Sequence, residues 1–492
     1  MRLDPQSGGV RTRITPSALL IVAVLGLSAC ASMTGIAPQA TLLDAPSLGL
    51  PAEQSAAATL DAQWWREFGD AQLNRLIDEA LAASPSLGIV QARLARAQAG
   101  VDLTNAASGP QLNVAIDATR QHYTANGAIP APLAGTIRES GTAQLAGSWE
   151  LDFFGKNRAA LDAALGNARA AQADADAART LLASNVARSY FQLVRLNDQL
   201  GVAQRLLGQR TQALRLVQDR VNAGLDTNLE LRQSEGALPD ARLQIETLQE
   251  QLALARHALN ALVGKPNMAL APELPALSAI KSIAAVASLP SDLLGRRADI
   301  AAARWRVQAA TQDVGNARAQ FYPNINLMAF AGFSSIGLDR LLGAGSEQWG
   351  VGPALRLPIF DGGRLRANLR GKTADLDAAI ESYNAAVIDA VRDVADQLAS
   401  RQAVSRQQVE QRAAQTLAEN AYEIAMQRYE AGLGNFLNVL AAETSVLNQR
   451  RQGVDLAARA LDTQVALMRA LGGGYHADLA IAAAQQPVTS HP

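Results

Sequence analysis

The chain has 492 residues and a net charge of −1, with basic residues scattered along its length, so it carries no electrostatic footprint for nucleic acid. Four histidines and one cysteine leave little room for zinc sites or a disulfide framework. Length alone suggests two or three domains, but an internal repeat argues for one elongated body built of two similar halves.

Residues 1–29 read as an export signal, with Arg2, Arg11 and Arg13 ahead of the apolar stretch Ala18 to Leu27. That stretch is too short to span a bilayer. Leu27-Ser28-Ala29-Cys30 resembles the bacterial lipoprotein cleavage box, whose cysteine is acylated and becomes the first residue of the mature chain. More than one acyl chain makes such an anchor stable, and the absence of aspartate at Ala31 and Ser32 favours the outer membrane in the lipoprotein sorting pattern. Residues 30–62, rich in Ala, Pro and Ser, read as a lipid-anchored tether wrapped on the surface.

A helical pattern starts at Trp64, Trp65 and Phe68, and a second helix is expected from Ser86 to Asn105, stopped by Gly109 and Pro110. The period then changes to two. Leu112, Val114, Ile116 and Ala118 alternate with polar or small residues, as do Ala143, Leu145, Gly147, Trp149, Leu151 and Phe153 after a Gly- and Pro-rich turn. This is the pattern of a strand hairpin, over 111–154, with one wet face. The helix pair at 156–264 follows, its returning arm expected to break at Pro239.

Residues 265–298, with Pro266, Pro272, Pro275 and Pro290, read as an equatorial linker. The second half, 299–472, repeats the first: a helix, a hairpin at 324–360 and a helix pair at 363–471. Pro353 and Pro358 weaken its last strand. Aromatic residues concentrate in the two hairpins, as in a lipid-facing band with interfacial rings. From Leu365 through Leu369, Leu376, Ile380, Tyr383, Val387, Val391 and Val394 to Leu398 the spacing is helical. The proline-free run would reach on the order of 100 Å. Residues 473–492 form a tail.

The repeat is explicit. An offset of 208 lays Arg220-Val221-Asn222-Ala223-Gly224-Leu225 on Arg428-Tyr429-Glu430-Ala431-Gly432-Leu433, and Leu229 on Leu437. The chain is a tandem duplication of about 210 residues. Four amphipathic strands cannot close a barrel, which needs about eight or more, and an open edge in lipid leaves backbone groups unpaired. Strands that enter a membrane therefore force oligomerisation. The fold expected is mainly α with a transmembrane β-barrel, with long coiled-coil-like helices enclosing a tube.

Several stretches together are specific: Leu27 to Cys30, Trp64-Trp65, Leu289-Pro290-Ser291-Asp292-Leu293-Leu294-Gly295-Arg296-Arg297-Ala298-Asp299-Ile300, Leu357-Pro358-Ile359-Phe360-Asp361-Gly362-Gly363-Arg364 and Arg428-Tyr429-Glu430-Ala431-Gly432. On these the mature chain resembles the outer-membrane efflux protein family, in particular the lipoprotein branch serving resistance-nodulation-division multidrug efflux pumps of Gram-negative bacteria. The resemblance implies a homotrimer with a twelve-stranded barrel in outer-membrane lipid and a helical barrel crossing the periplasm. It also implies docking onto a periplasmic membrane-fusion adaptor and an inner-membrane proton-driven pump.

The two Ala-Gly-Leu turns, Ala223, Gly224, Leu225 and Ala431, Gly432, Leu433, are expected as helix C-caps at the periplasmic tip and as the adaptor-docking surface. Relatives shut this end with a leucine ring and a charged pair. Here Leu437 matches the leucine, but Ala441 and Thr444 occupy the charged positions, so an apolar gate at Leu437 is expected. Asp226 and Glu230 are candidates for cation selectivity.

Enzyme signatures are absent: there is no HExxH, CxxC or GxxxxGK[ST], and Gln348 stands where a dinucleotide loop after Gly343 would need its third glycine. Neither a catalytic residue nor a cofactor is expected. Two alternatives to an efflux duct stay open: the exit duct of a type I protein secretion system, and a structural periplasmic coiled-coil lipoprotein.

Overall fold

The computed structural model describes residues 33–43, 61–268, 273–283 and 293–475. The signal segment, Cys30, most of the tether, residues 289–292 of the linker motif and the tail beyond 475 lie outside the described residues.

In chain order the main elements are α1 (Ala71–Ala83), α2 (Pro85–Ser108), β1 (Gln111–His122), β2 (Ile137–Leu151), α3 (Lys156–Asn222), α4 (Asn228–Val263), α5 (Ala298–Ala319), β3 (Asn324–Ile336), β4 (Glu347–Arg356), α6 (Arg364–Glu430) and α7 (Phe436–Ala470). The chain groups into two compact units, one built on Arg96–Ala168 and Trp305–Glu381, the other on Leu42–Ala95, Arg169–Arg304 and Ser382–Pro492.

The first unit holds one antiparallel sheet in the order β1-β2-β3-β4. Val114 faces Leu145, Leu145 faces Ala331 and Ala331 faces Trp349, so sequence neighbours are also sheet neighbours. β4 runs through Pro353 without a break and pairs it with Leu327, at the edge of the sheet within one chain. It stops before Leu357-Pro358. Each hairpin enters its long helix through an aspartate cap: Asp152 accepts the Arg158 N–H at 2.7 Å, and Asp361 accepts those of Gly363 and Leu365 at 2.9 and 2.8 Å. Where α3 crosses α5, a Cβ on Gly166 would stand 3.0 Å from that of Ala309, so small residues let the backbones close up.

The second unit holds the main core. Trp64, Trp65 and Phe68 form a short 3-10 turn of their own, separate from α1, because Gly69 at φ 70° ends it and Asp70 caps the next helix. Trp64 and Trp65 meet edge-on at 5.8 Å, and Phe68 packs on Phe191 at 5.0 Å. Tyr190 donates to the same Asp70 at 2.7 Å; burial, then that carboxylate, raises its pKa. Arg297, from the linker motif, pairs with Asp299 at 2.7 Å and donates to the Ala470 carbonyl at 3.2 Å, fixing the end of α7.

The expected break at Pro239 does not occur: α4 is continuous over 36 residues. Pro239 removes one helix bond, that to the Glu235 carbonyl, and the turn next to it is held from outside by Arg210 of α3, which donates to the Ala237 carbonyl at 2.8 Å.

Candidate functional site

The register places the large residues of the period-two pattern on one face. The rows are Leu112–Gly147–Ala329–Val351, Val114–Leu145–Ala331–Trp349, Ile116–Ala143–Phe333 and Trp149–Leu327–Pro353, and the third of them ends on the charged Glu347. Among the described residues Leu338 and Leu341 cover its end at the buried Gly141, while the rest is open: Leu112, Val114, Ile116, Val351 and Leu355 are exposed, and Trp349 is 78 % exposed. The other face carries Asn113, Thr142, Ser334 and the pair Gln348–Gln144, bonded at 3.1 Å. Met328 and Phe330 break the pattern by lying on this polar face. Phe330 fits there because Gly350 has no side chain; a Cβ would meet the ring at 2.6 Å. Apolar outside and polar inside is the wall of a membrane barrel.

The second region is the pair of turns in the second unit. Gly224 at φ 66° and Gly432 at φ 73° take the left-handed conformation that only glycine adopts without strain. Leu225 N–H returns to the Arg220 carbonyl at 2.8 Å and Leu433 N–H to that of Arg428 at 2.7 Å. With the Gly224–Val221 and Gly432–Tyr429 bonds, both are Schellman caps. Ala223, Gly224, Leu225, Ala431, Gly432 and Leu433 thus lie together on exposed turns, and Leu437 is 60 % exposed on the first turn of α7.

A polar cluster joins the turns. Arg220 grips Asp226 through two nitrogens at 3.0 and 3.3 Å, and Tyr429 donates its hydroxyl to Asp226. The Arg220 guanidinium also lies 4.6 Å over the Tyr429 ring. Burial pushes the Asp226 carboxyl up, but the bonds from Arg220 and Tyr429 outweigh it and hold it below the usual range. Glu230 closes a capping box with Thr227. The two acids expected as free selectivity charges are therefore committed to local partners. Ala441 and Thr444 bring no charge, and the Thr444 hydroxyl bonds back to Leu440. Between them Glu443 is buried against Arg210 at 2.9 Å.

Arg220 and Tyr429 were readable in the sequence only as parts of the turn motif. The signal that marks them is a difference inside the repeat: at the same offset Tyr429 replaces Val221, and Asp226 is replaced by Gly434.

The profile of the outer membrane efflux protein family matches residues 76–265 and again 289–473. The chain belongs to that family. The double match follows the internal repeat. The chain is 34 % identical over 427 residues to the multidrug resistance outer membrane protein MdtQ of Escherichia coli O6:H1, covering 84 % of this chain and 88 % of that one. It is 34 % identical over 465 residues to the pyoverdine export outer membrane protein OpmQ of Pseudomonas aeruginosa, covering 93 % and 97 %. The crystal structure of the outer membrane protein VceC from Vibrio cholerae superposes with a TM-score of 0.80 at 38 % identity, covering 85 % of this chain and all of that one. This efflux-family chain is an outer-membrane channel protein and not an enzyme.

Proposed function

We propose that three copies of this chain form the exit duct of a tripartite efflux system. The duct conducts small molecules passively from a periplasmic adaptor and an inner-membrane pump to the outside. The observation that carries this reading is the four-stranded sheet, apolar on one exposed face, polar on the other and open at both edges. Four strands cannot close; three copies supply twelve, within the range of known barrels. Leu243 and Leu254 of α4 and Val409, Leu417 and Ile424 of α6 also stand exposed, which suits helices that pack against further copies. The names of the relatives, multidrug resistance and pyoverdine export, favour small molecules over a secreted protein as cargo.

In this reading Cys30 is acylated and anchors the chain to the outer membrane. The turns at Ala223, Gly224, Leu225 and Ala431, Gly432, Leu433 dock on the adaptor, and Leu437 from each copy narrows the periplasmic entrance. The test is to purify the mature chain in detergent, determine its mass and add it to planar bilayers. A trimer giving stable conductance steps is expected, together with drug sensitivity on deletion of the gene. A monomer soluble without detergent that makes no pores overturns the proposal, and palmitate labelling of Cys30→Ser overturns the anchor.

A further inference from the structure

Where β2 passes into α3 the apolar face of the sheet does not end at the last strand residue. Trp149, Leu151 and Phe153 follow one another at alternate positions, and Phe153 is exposed beyond the strand. A cleft of about 470 Å³ opens beside them, lined on its other side by Arg158 and Leu161. Trp149 donates its indole N–H to the Ser108 carbonyl at 3.2 Å, so its polar atom is satisfied while its rings stay half exposed. That amphipathic setting suits a membrane–water boundary.

The opposite wall carries one cation, Arg158, and the acids Glu150 and Asp152 line the cleft as well. The Arg158 side chain makes no ion pair or hydrogen bond among the described residues, and the nearby acids are occupied. Glu150 holds Lys156 at 2.6 Å, and Asp152 accepts the backbone N–H of Arg158. Asn157 lines the same cleft, but its Nδ2, without a partner among the described residues, is buried below the surface. An aromatic wall continuous with a lipid-side surface, facing an uncommitted guanidinium, fits a molecule with an acyl chain and a phosphate.

We propose that this cleft seats the headgroup of a glycerophospholipid from the adjacent leaflet, its phosphate on Arg158 and its acyl chain along Trp149, Leu151 and Phe153. The inference rests on the channel reading above, which places the apolar face in lipid. Continuity with that face favours lipid over free phosphate, since inorganic phosphate gains nothing from the aromatic wall.

The test uses the full chain purified from bilayers of phosphatidylethanolamine and phosphatidylglycerol, with retained phospholipid counted by native mass spectrometry. Arg158→Ala is expected to retain lipid about tenfold less well, the loss that fits one charge-assisted hydrogen bond, Phe153→Ala to lose about as much through apolar contact with the acyl chain, and Arg158→Lys to keep most of it. Unchanged retention in both alanine variants, or displacement of the lipid by millimolar inorganic phosphate, overturns the site. Conductance of the same preparations separates the two readings. Pores with unaltered lipid retention refute the cleft alone, and a wild-type protein without pores refutes the channel and the cleft with it.

Discussion

Tyr429 and Asp226 stand 203 positions apart, in different halves of the duplicated chain, yet the phenol of one donates to the carboxylate of the other. Their equivalents in the repeat, Val221 and Gly434, cannot make this bond. The equivalent arginines diverge accordingly: Arg220 pairs with Asp226, whereas Arg428 donates to the Leu433 carbonyl of its own turn. Duplication supplied two equal turns, and a few substitutions tied them together.

Removing that phenol tests the tie. Tyr429→Phe keeps the ring under Arg220 and loses one hydrogen bond, which costs about 1 kcal/mol, or about fivefold in local opening. Hydrogen exchange should accelerate at both turns by that factor and stay unchanged around Trp64 and Phe191. The pH dependence has a fixed sign. Because the Asp226 carboxyl lies below its ordinary value near 3.8, its contribution is complete above that value and is lost as pH falls through the folded one. Protection of the turns, corrected for intrinsic exchange, should therefore be flat at neutral pH and collapse only in strong acid. Asp226→Asn should remove the step.

Arg210 and Glu443 form an enclosed ion pair of the helical unit, with side chains 16 % and 6 % exposed. Breaking such a pair costs about 3–5 kcal/mol, while an apolar replacement of both partners is often neutral. Arg210→Met should lower the melting temperature sharply, and Arg210→Met with Glu443→Met should recover most of the loss. Burial raises the Glu443 carboxyl more than Arg210 lowers it, so its ionisation opposes folding. Stability should fall as pH rises through that value, and Glu443→Gln should flatten the fall. Melting followed by circular dichroism reads both effects.

How much of this was legible depends on the range of the interaction. The long helices are visible because the spacing from Leu365 to Leu398 reports a local period, and the strands because alternation from Ala143 to Phe153 does the same. The turns are visible because a reversal at Ala-Gly-Leu needs the positive φ of Gly224 and Gly432. What escapes is set by distant partners. Pro239 reads as a break, yet α4 runs through it with another helix packed alongside, Arg210 reaching the Ala237 carbonyl. Phe330 reads as off-pattern until Gly350 provides its space. The tie between Asp226 and Tyr429 has no local signature.

Two glycines in the sheet separate crowding from mere flexibility. A Cβ on Gly332 would lie 2.2 Å from the Ala143 carbonyl oxygen and 2.5 Å from the Gln144 Cα, and backbone cannot swing aside as a side chain can. Around Gly352, in the neighbouring strand, nothing comes within 4 Å. Gly332→Ala should push β2 and β3 apart, costing about 1–3 kcal/mol or more, and deplete the folded protein recovered from outer membranes. Gly352→Ala should be recovered at the wild-type level. Equal yields for the two would mean that the sheet relaxes at β3 or that its register there differs.

Leu437 tests the proposed gate without disturbing the fold. Asn435 caps α7 through the Asn438 N–H, and Phe436 and Val439 face the core, leaving Leu437 outside on the first turn. Truncating an exposed side chain away from such contacts changes stability by about 0.5 kcal/mol at most, so any effect on conductance is not a folding effect. An apolar constriction excludes ions by dewetting, which a hydroxyl relieves. Leu437→Ser should raise single-channel conductance severalfold with an unchanged melting temperature. Since Ala441 and Thr444 place no charge there, the wild-type closed level should depend little on salt beyond bulk conductivity. A salt-sensitive closed state, or a serine variant that conducts like wild type, would move the barrier away from Leu437 and toward the Arg220–Asp226–Tyr429 cluster.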